Sequence, residues 1–173
     1  MDYRIIYSNR KTLCIKLENN GEITVRAPFY TSRAVIGDFV ARHKKWIESH
    51  ITEVCEKQAK LSRLSREDIE ALRRAAKEYI PGRTRYFADV MGVSYTGIRI
   101  TSAKTRFGSC SAANSLCFSL YLMSCPKEAV DAVIVHELAH IRHKNHSKAF
   151  YDEIKRVMPD YDERKKLLKN GIL

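Results

Sequence analysis

An apolar run, Val130-Asp131-Ala132-Val133-Ile134-Val135, leads directly into His136-Glu137-Leu138-Ala139-His140. No other stretch constrains the chain as much. Two histidines four apart on a helix lie one turn above each other on the same face. That spacing lets both imidazoles reach one tetrahedral zinc ion. Glu137 sits one position round from the first of them, where its carboxylate can take a proton from water at such an ion. The pattern predicts metal-dependent hydrolysis. A structural zinc site would fill four positions with protein ligands, usually including cysteine, and no cysteine closely flanks this helix.

Two residues compete for the third ligand position. His143 follows His136 by seven residues, which on a straight helix is about 10.5 Å at ~1.5 Å rise per residue, too far for one ion. His146 follows Lys144-Asn145, where the chain can turn back, and Asn145 suits the left-handed conformation of a helix end. His146 is therefore the expected ligand, and His143 is expected beside the site rather than on the metal.

Several ordered blocks carry a resemblance: Lys104-Thr105-Arg106-Phe107-Gly108-Ser109-Cys110, Cys125-Pro126, His136 to His140, Asn145-His146-Ser147 with Phe150-Tyr151, and Met158-Pro159-Asp160-Tyr161. From Ala103 to Tyr161 the chain resembles the YgjP-like metallopeptidase domain family, with more distant similarity to SprT-like proteases. Arg26-Ala27-Pro28 and Trp46-Ile47 look like the family's N-terminal part. The resemblance implies a zincin-like fold, zinc on His136, His140 and His146, and Glu137 as general base. The family usually has Trp at the place of Phe107 and Phe-Trp at Phe150-Tyr151. It commonly has Asn and Arg where Ser119 and Tyr121 align, on a strand expected beside the substrate.

The chain has 173 residues, 45% of them hydrophobic, and a formal charge of +11 from 31 basic and 20 acidic residues. That length suits one domain, or one domain with an extension. The charge fits a basic surface, and equally a nucleotide, nucleic-acid or anionic-lipid partner. Five cysteines form no close CxxC pair, and their odd number without a secretory signal points to reduced thiols and a cytoplasmic location. No stretch approaches the ~20 apolar residues needed to cross a membrane.

The first 30 residues read as strands: Leu13, Ile15 and Leu17 alternate, Asn20-Gly21 makes a turn, then Ile23 and Val25 alternate up to Pro28. Thr31 or Ser32 caps a helix running to about Ser62, with Val35, Ile36, Phe39, Val40, Trp46, Ile47, Ile51 and Val54 as its core stripe. Ser65-Arg66-Glu67-Asp68 resembles a capping box. Pro81-Gly82 is expected to interrupt the helix that follows, and Gly92 to end the next one. A sheet of three or four strands is expected over about 94–123, from the alternation of Ile98 and Ile100 and of Leu116, Phe118, Leu120 and Leu122. Pro126 starts the metal helix, and Ser147 caps another ending near Pro159. The expected fold is α+β and zincin-like, a small sheet packed on the metal helix after an N-terminal hairpin and helices. Residues 1–62 form the hairpin and helix, and 63–173 the catalytic region, if the two are not one domain.

An oxyanion donor is also needed; Tyr151, Tyr121, His143 and Arg106 are candidates, with packing the commoner role for Tyr151. Asp152 and Glu153 are candidates to receive the second N–H of the ligating histidines. The strand around 115–122 is a candidate open edge for binding a peptide by strand addition. The leading expectation is a zinc metallopeptidase acting on a peptide or protein. The alternatives are a metal-dependent nucleotide pyrophosphatase or phosphohydrolase, a DNA-associated protease, and a binding module that holds zinc without turnover.

Overall fold

The computed structural model describes residues 1–18 and 20–172. It has α+β architecture with two small sheets and six α-helices, divided into two compact units, Met1–Arg63 and Leu64–Leu173.

The first unit is built on a mixed three-stranded sheet. Strands β1 (Arg4–Ser8), β2 (Cys14–Leu17) and β3 (Ile23–Pro28) lie in the order β1-β3-β2, with β1 parallel and β2 antiparallel to β3. Gly21 takes φ 84°, a conformation glycine adopts without steric cost, and turns β2 into β3. Central β3 buries Ile23, Val25 and Ala27, which pack with Ile36, Val40 and Ile47. The single helix expected from Ser32 is two: α1 (Arg33–Arg42) and α2 (Lys44–Ser62). Ser32 caps α1 by accepting from Val35 N–H. The break falls at His43, whose N–H bonds three residues back to Val40 and whose Nδ1 lies 2.8 Å from the Phe39 carbonyl oxygen. The expected core stripe is cut with it. Val35 and Trp46 are exposed, and Trp46 stacks on His50 instead of entering the core.

The second unit opens with α3 (Arg66–Met91), whose N-terminus is a complete capping box: Ser65 Oγ accepts from Asp68 N–H, and Asp68 accepts from Ser65 N–H. Pro81 does not interrupt it. The helix runs through Pro81 and Gly82 because its buried face, Ala76, Ile80, Thr84, Phe87 and Met91, is held on both sides of the proline. The loss of one backbone hydrogen bond is tolerated where packing fixes the axis. Gly92 ends α3 in the left-handed conformation, φ 65°.

The second sheet is three-stranded: β4 (Gly97–Thr101), β5 (Gly108–Cys110) and β6 (Ser115–Ser119), in the order β4-β6-β5. The strand expected to reach Leu122 stops at Ser119. There Ser119 Oγ donates to the Ala103 carbonyl and accepts from Tyr121 N–H, and residues 120–124 coil into a 3₁₀ turn. Leu120 and Leu122 are nevertheless fully buried, so their alternation marked burial rather than extension. β6 is the central strand, paired on both sides, so it has no open edge; the edges are β4 and β5. Across the sheet Ile98, Leu116 and Cys110 are neighbours on one face, as are Ile100, Phe118 and Gly108. That face packs on α4 (Lys127–Arg142), a helix buried from Ala129 to Val135.

Behind α4 come α5 (Lys148–Val157) and α6 (Tyr161–Lys166), the latter unforeseen in the sequence. Arg142, in the last turn of α4, ties this region together. Its guanidinium donates to Glu153 on α5 at 2.7 Å and to the Gly92 carbonyl at 2.9 Å. Asp131 is buried on α4, and Arg83 of α3 grips it with two hydrogen bonds at 3.0 and 2.7 Å.

Candidate metal centre

His136 and His140 project from successive turns of α4, and His146 returns to them from the loop before α5. One ring nitrogen from each lies within 4.8 Å of the others. Nε2 of His136 and Nε2 of His146 are 3.1 Å apart. A tetrahedral zinc with Zn–N of about 2.0–2.1 Å separates its ligand atoms by roughly 3.3 Å, close to this His136–His146 separation. The loop is made without a left-handed residue at Asn145; Asn114 alone among the described non-glycine residues has positive φ. The chain leaves α4 through an extended His143, at φ −121° and ψ 98°.

The outer nitrogens of two rings have partners. Nδ1 of His140 lies 2.9 Å from the His143 carbonyl oxygen. Nδ1 of His136 lies 2.8 Å from the hydroxyl of Tyr161, on α6. With Nδ1–H donating to these oxygens, each Nε2 keeps its lone pair for the shared space. Burial, followed by the neighbouring imidazoles and Lys165, pushes His136 down to about 4. Burial also lowers His140, with the His143 carbonyl opposing. Both shifts favour the neutral rings that coordinate metal. Phe150, fully buried on α5, floors the cluster, its ring centroid 4.9, 4.6 and 4.8 Å from those of His136, His140 and His146.

Glu137 is 6% exposed. Burial pushes its carboxyl up to about 7, against the opposing charge of Arg106. Its side chain lies against Gly108 so closely that a Cβ there would fall 2.6 Å from Oε1. The cleft in front has Gly108, Ser109 and Cys110 of β5 on one side and the three histidines with Glu137 on the other. Phe107 and Ser111 make the β6-directed bonds, to Ser119 and Ser115. By antiparallel alternation, Gly108 and Cys110 turn their own N–H and C=O groups away from β6. Lys144 spans one end of the cleft, donating to Asn114 Oδ1 at 2.7 Å.

The family model described as YgjP-like, metallopeptidase domain, matches residues 11–71 and 56–171. The chain belongs to the YgjP-like metallopeptidase family. No curated protein matches it. Among solved structures it is similar to the metallopeptidase zymogen abylysin of Pyrococcus abyssi, at 20% identity and TM-score 0.47, over 51% of this chain and 91% of that one. It is also similar to the zymogen jannalysin of Methanocaldococcus jannaschii, at 22% identity and TM-score 0.46, over 51% and 92%.

Membership of a metallopeptidase family implies a metal ion, and the histidine triad of this YgjP-like chain could bind one. The other residues singled out in the sequence fall in different places. The ring of His143 stays outside the triad. Asp152 and Glu153 do not receive the imidazole N–H groups: Asp152 pairs with Lys148, and Glu153 with Arg142 and Arg156. Tyr121 is buried beneath the sheet end, and Tyr151 packs edge-on against Phe150. Arg106 is exposed, near enough for its charge to act on Glu137. Tyr161 and Phe150 were missed as partners of the histidines. Both lie within blocks that carry the family resemblance, but nothing in their spacing marks a contact with α4. Among the described residues no helix is long and apolar enough to cross a membrane.

Proposed function

We propose that this protein is a zinc-dependent, metallopeptidase-like hydrolase in which His136, His140 and His146 hold the ion and Glu137 is the general base. The observation that carries this reading is the convergence of three imidazoles beside a buried carboxylate from the same helix. When bound, the ion supplies Lewis acidity toward a carbonyl oxygen and a water molecule. Glu137 takes a proton from the attacking water as the new C–O bond forms. It returns that proton to the amine nitrogen as the C–N bond breaks. The outward N–H and C=O groups of Gly108 and Cys110 pair with an extended peptide and hold its scissile bond before Glu137. Arg106 offers a positive charge to the developing oxyanion. The catalytic region is the second unit, with β4, β6 and β5 packed on α4 in a zincin-like arrangement, and the cell compartment is the cytoplasm, where five unpaired cysteines stay reduced.

An apolar cavity beside Glu137 favours a peptide side chain over a phosphoryl substrate. The test is purification without chelator, elemental analysis, and turnover of casein and of nucleoside triphosphates. Near-stoichiometric zinc is expected, with casein cleavage lost in Glu137→Gln while zinc is kept. His146→Ala is expected to lose zinc and His143→Ala to keep it. Phosphate release that disappears in Glu137→Gln would replace the peptidase with a phosphohydrolase, and absence of stoichiometric metal would overturn both.

A further inference from the structure

On the α6 side of Glu137 lies a cavity of about 180 Å³ that reaches His136 and Glu137. Phe107, Ala132, Val133 and Leu168 supply its apolar walls. A cavity of about 150 Å³ is large enough to admit a benzene-sized group. This one opens beside the general base, so its occupant would be bonded closely to the reacting carbonyl.

Lys165 lines the same cavity. It is exposed, its Nζ stands 5.9 Å from the centroid of the Tyr161 ring, and its charge reaches His136. Two of the neighbouring charges on α6 are engaged, Asp162 with Lys155 and Arg164 with Asp160. Among the described residues Lys165 makes no ion pair, and the one carboxylate its charge is seen to act on, Asp162, is held by Lys155. Arg106 and Lys144 add positive charge around the cleft, acting on Glu137 and His140. Among the described residues Glu137 is the one carboxylate lining either cavity or cleft.

We infer that the cavity receives a leucine-, methionine- or phenylalanine-sized side chain from a residue flanking the cleaved bond, and that Lys165 pairs with a carboxylate within one residue of it. The inference rests on the peptidase reading and names its substrate class: apolar–acidic sequences, or peptides ending in an apolar residue. The carboxylate is supplied by a free C-terminus or by an Asp or Glu side chain.

Binding separates this from turnover. Zinc-loaded Glu137→Gln protein is titrated calorimetrically with N-acetylleucine, its amide, N-acetylglycine, and acetyl-leucyl-aspartate blocked as the amide at its backbone carboxyl only, its side-chain carboxylate left free. N-acetylleucine is expected to bind about tenfold or more tighter than N-acetylglycine, and roughly fivefold tighter than its amide. Lys165→Gln, in the same background, removes the acid preference and keeps the leucine preference. Leu168→Trp and Val133→Trp remove the leucine preference, with zinc content reporting that each variant has folded. Tight binding of the blocked acetyl-leucyl-aspartate assigns the carboxylate to a side chain; its failure beside tight N-acetylleucine assigns it to a C-terminus. Equal affinity for leucine and glycine ligands, or an acid preference that survives Lys165→Gln, overturns the inference. Selective binding without any peptide cleavage by the unmutated protein would remove the peptidase reading and leave the pocket standing.

Discussion

The hydroxyl of Tyr161 and Nδ1 of His136 are 2.8 Å apart, joining α6 to α4 across 25 positions of sequence. With Nδ1–H donating to the phenol oxygen, the tautomer that leaves Nε2 its lone pair, the contact fixes the plane of the ring. Tyr161→Phe removes only that acceptor. Zinc affinity is expected to fall by about 10–100-fold while the far-ultraviolet circular dichroism is unchanged. Competition with a chromogenic chelator measures it, and an unaltered affinity would reduce Tyr161 to packing.

Gly108→Ala tests how closely the strand holds the Glu137 side chain. The new methyl would lie 2.6 Å from Oε1 and 2.7 Å from Cγ of Glu137, so that side chain must move. Gly108 does not have positive φ, and alanine brings no backbone strain. A displacement on the order of 1 Å costs about 10²-fold in rate. The variant is expected to keep its zinc and lose kcat/KM by that factor, measured on the same peptide before and after substitution.

Phe150 touches all three imidazoles from below. Phe150→Ala opens a cavity under the triad and is expected to cost about 3–5 kcal/mol of stability. Urea denaturation of the metal-free protein reads the loss without the contribution of bound zinc. Phe150→Leu fills most of the space and should recover much of it.

Acid should weaken the Arg142–Glu153 tie. Arg156 foremost, with Arg142, holds the Glu153 carboxyl below the usual glutamate range. A carboxyl whose folded pKa is depressed adds stability above its unfolded pKa, about 4.3, and loses it as the pH falls through the folded value. Glu153→Gln is therefore expected to melt lower than the unmutated protein at pH 7, with the gap closing below about pH 4. Thermal melts across that range decide it; a gap that does not change with pH would mean that packing, not charge, is lost.

What could be read in the sequence is local. The four-residue spacing of His136 and His140, the Ser65–Asp68 box and the left-handed Gly92 each follow from contacts within one turn of chain. What could not be read depends on distant neighbours. Pro81 carries a strong helix-breaking signal, overridden by the buried face on both sides of it. Leu120 and Leu122 alternate as a strand does, yet are buried from a 3₁₀ turn. Trp46 has core composition and a solvent address. The partners of the imidazoles come from α6 and from a backbone carbonyl, and a carbonyl has no letter in a sequence. The expected acceptors Asp152 and Glu153 answer instead to the nearer cations.

An unpaired strand edge invites any extended chain, including another copy of the same protein, and long edges of this kind seed aggregation. β5 is three residues long, with only Gly108 and Cys110 facing outward. That is room for a single short segment and no template for a growing sheet. Brevity lets the edge stay open to a guest without nucleating a fibril.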